Sequence, residues 1–207
     1  MLVANRRPRG RAAPASVPHG QRGQRGGTLI EVLVSILIAS FGLMALAGLQ
    51  TTMNSALLES YQRTQALTLL QDMVQRMETN QADAASYVTG TAAALGTADD
   101  KPTLCNTGTR AERDQCEWSN LLKGASETAG STPVGAMIAG RGCIEQVQAP
   151  DPSAGVCQPG IYRVTVAWQG LNRTEAPALA CGNGEYSDEP LRKAVATQFL
   201  VPLPNCS

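Results

Sequence analysis

Thr28 to Leu49 reads TLIEVLVSILIASFGLMALAGL, 22 residues that hold a single ionisable group, Glu31. As an α-helix this stretch would run about 33 Å, against about 30 Å for the hydrocarbon core of a bilayer. No polar face interrupts it, so it reads as a membrane-spanning helix rather than the buried helix of a soluble protein. Arginines crowd the residues before it, and the first basic residue after it is Arg63. By the positive-inside rule the N-terminus is then cytoplasmic and everything from Gln50 onward is exported. A secretory signal shares that order, and Ala45-Leu46-Ala47 imitates its cleavage site, but such a signal carries no acid within its apolar run. A carboxylate placed there costs on the order of 2 to 3 kcal/mol, so Glu31 calls for a cation. Its own helix offers none downstream before Arg63.

The formal net charge of zero conceals two unlike segments. Residues 1–26 hold six arginines and no acid, and the remaining residues hold 11 basic and 17 acidic groups. An acidic remainder argues against a broad nucleic-acid surface, and no nucleic acid is expected as a partner. The one histidine, His19, lies in the basic stretch. Once that stretch is removed, His-based triads, Cys-His dyads and zinc sites with a His ligand are excluded, which argues against most hydrolytic mechanisms, and the cysteines lack the close spacing of a metal cluster, so no cofactor or metal is expected. Eight aromatic residues against 20 Gly and 12 Pro point to a loop-rich fold with small side chains.

The residues Gly26-Gly27-Thr28-Leu29-Ile30-Glu31-Val32-Leu33-Val34 resemble the processing site of the type IV pilin family. The resemblance implies that a prepilin peptidase cuts after Gly26 on the cytoplasmic side, that Gly27 becomes the N-methylated first residue, and that Glu31, then fifth, assists methylation and docking. Gly27 stands where the family usually has a bulky residue, which leaves a cut after Gly27 as a second position. The physics is compatible with the role. Residues 27 and 31 lie one helical turn apart, so the freed amine and the carboxylate share a helix face. Between staggered subunits the amine of one neutralises the carboxylate of the next, and the penalty for an unpaired charge in an apolar filament core sets the register.

Beyond the membrane, Ala66, Leu69, Leu70, Met73 and Met77 keep the spacing of an amphipathic helix, which predicts one long helix from 27 to about 79. The expected fold is α+β, a long N-terminal membrane-spanning helix packed on a small antiparallel β-sheet, as in pilins. The expected organisation is a cleaved basic leader over 1–26, a transmembrane and assembly helix over 27–50, its amphipathic continuation over 51–86, and an exported head over 87–207. Residues 87–109, rich in Thr, Ala, Gly and Asp, read as a connector. A short helix is predicted over 110–122, with Cys116, Trp118, Leu121 and Leu122 available to the core. Residues 137–147 begin the sheet, the alternation of Tyr162, Val164, Val166 and Trp168 marks its clearest strand, and Val195, Thr197, Phe199 and Val201 mark the last. Gly42 and Gly48 interrupt the apolar half of the helix, serving either close packing between helices or local unwinding.

Cys105, Cys116, Cys143, Cys157, Cys181 and Cys206 all lie in the exported part without a CxxC pair, which in an oxidising compartment predicts disulfides. Fifteen pairings are possible. The near-neighbour set 105–116, 143–157 and 181–206 is expected, the last on resemblance to the C-terminal loop of pilins. The sequon Asn172-Arg173-Thr174 reads as a polar loop, and Asn183, Glu185, Asp188 and Glu189 as a solvated loop rather than a calcium site.

The family resemblance implies incorporation into a filament through the N-terminal helix and a role in priming assembly of the pilus, and thereby in twitching motility and adhesion. The implied partners are prepilin peptidase, other minor pilins and the major pilin, the inner-membrane assembly platform, a tip adhesin and membrane lipid. Three alternatives share parts of this reading. A type II secretion pseudopilin would have the same N-terminus, a DNA-binding minor pilin would need a basic cluster around Arg141, Arg163 and Arg173, and an anchored periplasmic enzyme would need a catalytic Ser or Asp in the head.

Overall fold

A computed structural model describes residues 28–125, 128–129, 132–133 and 137–203. The chain divides into two compact units, residues 1–47 and 48–207. Helix α1, Leu29–Glu78, begins in the first and supplies a packing face to the second. Its first half meets the length and hydropathy needed to cross a membrane. Every residue from Thr28 to Asn54 is exposed. Farther along, Gln62, Ala66, Leu69, Leu70, Met73 and Met77 are buried, the one-sided stripe of a helix lying on a core. Arg76 stands in the last turn, where a cation complements the helix dipole. The helix ends at Glu78, and a 3-10 helix over Gln81–Tyr87 turns the chain back and buries Ala84 and Tyr87.

Four antiparallel strands form the sheet. They are β1 (Gly90–Gly96), β4 (Arg141–Gln148), β5 (Gly160–Gln169) and β6 (Arg192–Val201), in that spatial order, with a small separate hairpin of β2 (Thr128–Ala129) and β3 (Thr132–Pro133). Helix α2, Arg110–Leu122, starts in a capping box in which the Thr109 hydroxyl accepts from the Glu112 N–H and the Glu112 carboxylate accepts from the Thr109 N–H. From α2, Trp118 reaches the middle of the core, fully buried, and its indole N–H donates to the Leu69 carbonyl of α1 at 2.8 Å. Gly142 of β4 makes room for it, since a Cβ at that position would lie 2.2 Å from the Trp118 ring. One tryptophan thus joins α1, α2 and the sheet.

On β5, Tyr162, Val164, Val166 and Trp168 are buried together with the α1 stripe. The alternation predicts a solvated opposite face, yet Thr165 and Ala167 are also fully buried. The long connection between β5 and β6 accounts for this. Its Cys181 is bonded to Cys143 of β4, and Cys143, Cys181, Ala167 and Tyr186 form a second small core on that face. The expected pairings 143–157 and 181–206 are therefore incorrect. Pairing follows which segment folds over the sheet, and Cys143 and Cys181 are brought to a Cα separation of 5.7 Å although 38 residues separate them. Cys105 is bonded to Cys116, and Cys157 is disulfide-bonded. Cys206 lies outside the described residues.

The stretch read as a connector contains β1. Its Ala-rich sequence lacks β-branched alternation, and pairing with β4 makes it a strand. Gly90 lies opposite Ile144 and Leu95 opposite Gly142, with an irregular register between them. Strand β4 begins at Arg141, four residues later than residue 137, because residues 137–139 are taken up by a bend and turn.

Candidate assembly site

Gly26 and Gly27 lie outside the described residues. Glu31 stands in the first turn of α1, exposed, and its N–H donates to the Thr28 carbonyl at 2.9 Å. Among the described residues its carboxylate forms no ion pair. Around it Leu29, Ile30, Val32, Leu33 and Val34 are all exposed, Leu29 at 78%. The polar atoms farther along this surface are satisfied internally. Ser35 donates to the Glu31 carbonyl and Ser40 to the Ile36 carbonyl, each at 2.7 Å, so neither hydroxyl is left bare in an apolar medium. Glu31 is thus the one charge on an otherwise apolar, hydrogen-bond-satisfied surface.

Gly42 and Gly48 give this helix no packing benefit of its own, since a Cβ at either would meet nothing within 4 Å. Each glycine costs about 1 kcal/mol of helix stability relative to Ala. Thr51 and Thr52 donate to the Gly48 carbonyl at 2.8 and 3.2 Å, so the carbonyl has acceptor partners beside its place in the helix ladder.

The end of α1 is fixed to the head by charge. Arg76 pairs with Asp72 at 2.8 Å, Asp114 at 3.1 Å and Glu117 at 2.6 Å. Asp114 also accepts from the Tyr87 hydroxyl at 2.5 Å. Burial, reinforced by that carboxylate, pushes the Tyr87 phenol up to about 12. Gln115 donates to the carbonyls of Ser86 and Tyr87, joining α2 to the 3-10 helix. Only the i, i+4 spacing of Asp72 and Arg76 announces any of this in the sequence. A second cluster surrounds Asp99, which takes the Lys123 ammonium, the Ser119 hydroxyl at 2.6 Å and the Gly96 N–H at 2.8 Å. Burial works to raise its pKa, and the ammonium and donors outweigh it, so the carboxyl is held below its ordinary value.

The arginines that a nucleic-acid surface would need face acids instead. Arg141 pairs with Glu185 and its guanidinium lies 5.8 Å from the centre of the Tyr186 ring, Arg163 pairs with Glu145, and Arg173 pairs with Asp188 at 2.6 Å. The acidic run is committed to the same arginines and to Arg192, which pairs with Glu189 at 2.6 Å. Arg192 also donates to the carbonyls of Pro177, Leu179 and Cys181, holding the β5–β6 connection in place. Among the described residues no group of three or more His, Cys, Asp or Glu is placed to hold a metal ion.

Residues 21–47 match the model of the prokaryotic N-terminal methylation motif, and residues 48–121 match that of the type IV pilin Tt1218. No curated protein and no solved structure matches the chain. The chain is thus similar to the N-terminal methylation motif over 21–47 and to a type IV pilin over 48–121, and its α+β architecture is consistent with the type IV pilin fold. That family is structural rather than enzymatic. Its motif implies processing by prepilin peptidase and contact with other pilus components, and the apolar helix implies a membrane anchor.

Proposed function

We propose that this chain is a minor pilin of the type IV pilus, most like PilV, which enters the filament through its N-terminal helix and helps to prime assembly at the tip. The observation that carries the proposal is the surface of α1. From Leu29 to Ala47 it is apolar and exposed, has one acid, and lies within the matched methylation motif. Prepilin peptidase cuts after Gly26, Gly27 becomes the methylated amine, and Glu31 takes the amine of a neighbouring subunit as its counter-ion. An unpaired carboxylate in an apolar bundle is strongly penalised, so the pairing fixes the axial step between subunits. Gly42 and Gly48, which nothing in their own chain requires to be small, serve close helix packing or local unwinding in that bundle.

By this reading residues 1–26 form a cytoplasmic leader, 27–50 cross the inner membrane, 51–86 continue toward the head, and 87–207 form the periplasmic head. The arginines before the helix and the disulfides after it both support that orientation. The chain performs no chemistry of its own. It works with other minor pilins, the major pilin, the assembly platform and a tip adhesin, and so serves twitching motility and attachment. The match over 48–121 is to a type IV pilin, which favours the pilus over a secretion apparatus sharing the same N-terminus.

The test is Glu31→Ala in cells that assemble pili. Processed protein should accumulate in the membrane at its normal level while its amount in sheared filaments drops. Normal incorporation would refute the pairing.

A further inference from the structure

The two outer edges of the sheet are protected unequally. On β1 only Gly90, Leu95 and Gly96 have partners in β4, and the register breaks between the first two. A short, irregular strand of this kind is a poor template for another chain. Strand β6 is different. All ten of its residues from Arg192 to Val201 pair with β5 in unbroken register. It contains no proline, and its only charges, Arg192 and Lys193, stand at its start. Among the described residues no backbone group of 193–201 bonds to anything but β5. An antiparallel ladder turns every second residue's N–H and C=O away from its partner, so a row of donors and acceptors faces outward along this edge.

The core also stops short there. Val195 and Phe199 pack against it but remain only half-buried, although Phe199 stacks on Tyr162 with ring centroids 6.0 Å apart. Beside the start of β6 runs an open groove of about 520 Å³, walled by α1 at Ala56 and Arg63, by Trp168 and Val195, and by the charged side chains of Glu175 and Lys193. Arg63 is exposed, and among the described residues it has no hydrogen bond or ion pair. Glu59, one turn before it, is occupied by the N–H groups of Leu171 and Asn172.

We infer that the free edge of β6 receives an extended strand from another polypeptide, whose inward side chains are apolar and include an acid that meets Arg63. Main-chain hydrogen bonds supply the attachment, and the groove selects alternate side chains. Charge argues against a second copy of this chain as the occupant. Of its own edge strands, β1 carries no charged residue and β6 only bases, so neither offers Arg63 a carboxylate. Strands β4 and β5, which do carry charge, are enclosed on both sides. The contact is separate from the helix-mediated incorporation proposed above and does not depend on it.

The experiment places a benzophenone side chain at Ala196 or Leu200 of the full chain, expressed in its own cells. Both positions are exposed, share one face of β6 and are four residues apart. Irradiation should join each to the same foreign polypeptide, at two sites four residues apart in its sequence. Arg63→Glu should lower the yield about two- to five-fold, the range expected for loss of an exposed ion pair, and Arg63→Lys should restore it. Adducts to a second copy of this chain, to lipid, or to scattered sites overturn the inference, as does an absence of adducts. An unchanged yield in Arg63→Glu overturns the assigned charge complementarity.

Discussion

Replacing Gly142 by Ala adds one methyl group at the place where α2 meets the sheet. The new Cβ would lie 2.2 and 2.3 Å from two carbons of the Trp118 ring and 2.8 Å from a methyl of Leu122. Ordinary carbon contacts are about 3.5–4.0 Å, so the ring must retreat by more than about 1 Å. It has little room to do so, because Trp118 is fully buried and its N–H is bonded to Leu69. Overpacking of this kind costs about 1–3 kcal/mol, and loss of the indole hydrogen bond adds about 1 kcal/mol. The expected total is therefore about 2–4 kcal/mol, read as a fall in the urea midpoint of the detergent-solubilised chain followed by tryptophan fluorescence. A loss below about 0.5 kcal/mol, the size of an ordinary surface change, would mean that Trp118 does not lie over Gly142.

Gly48→Ala makes the opposite contrast. With nothing within 4 Å of the new Cβ, helicity by circular dichroism should hold or rise, by up to about 1 kcal/mol of helix stability. A fall would mean that the glycine serves the isolated chain. Asp99→Asn removes a carboxylate whose folded pKa lies below its ordinary 3.8. Such a group stabilises the fold above its unfolded value and loses that contribution as pH falls through the folded one. The melting-temperature gap between wild type and variant should thus be constant above about pH 5 and shrink in more acid solution. A gap that widens with acid would contradict the Lys123 and Ser119 contacts. Replacing Cys143 and Cys181 together by Ser should cost about 4 kcal/mol in the chain-entropy model and expose the 170–191 connection to protease. Peptide mapping that instead joined Cys143 to Cys157 would refute this topology.

What the sequence discloses depends on whether a residue's surroundings are local. The stripe from Ala66 to Met77 and the alternation along β5 are visible because one face of each element meets the core. The burial of Thr165 and Ala167 is not visible, because it comes from a connection without periodicity that folds over the sheet and is bonded at Cys181. Strand β1 escapes notice for a related reason, since three alanines become a strand only by pairing with β4. At the assembly helix, Glu31 is conspicuous as a single acid in an apolar run. The clamp of Arg76 on Asp114 and Glu117 joins residues 38 and 41 positions apart, and no local pattern records it.

The pairing of Glu31 with a freed amine requires a chain that begins at a defined residue. Co-expression with a prepilin peptidase, followed by mass determination of the intact product and of its N-terminal peptide, reads that residue directly. A chain starting at methylated Gly27 is the expected result. Cleavage after Ala47, or a chain left whole, would contradict it and would remove the counter-ion on which ordered assembly rests.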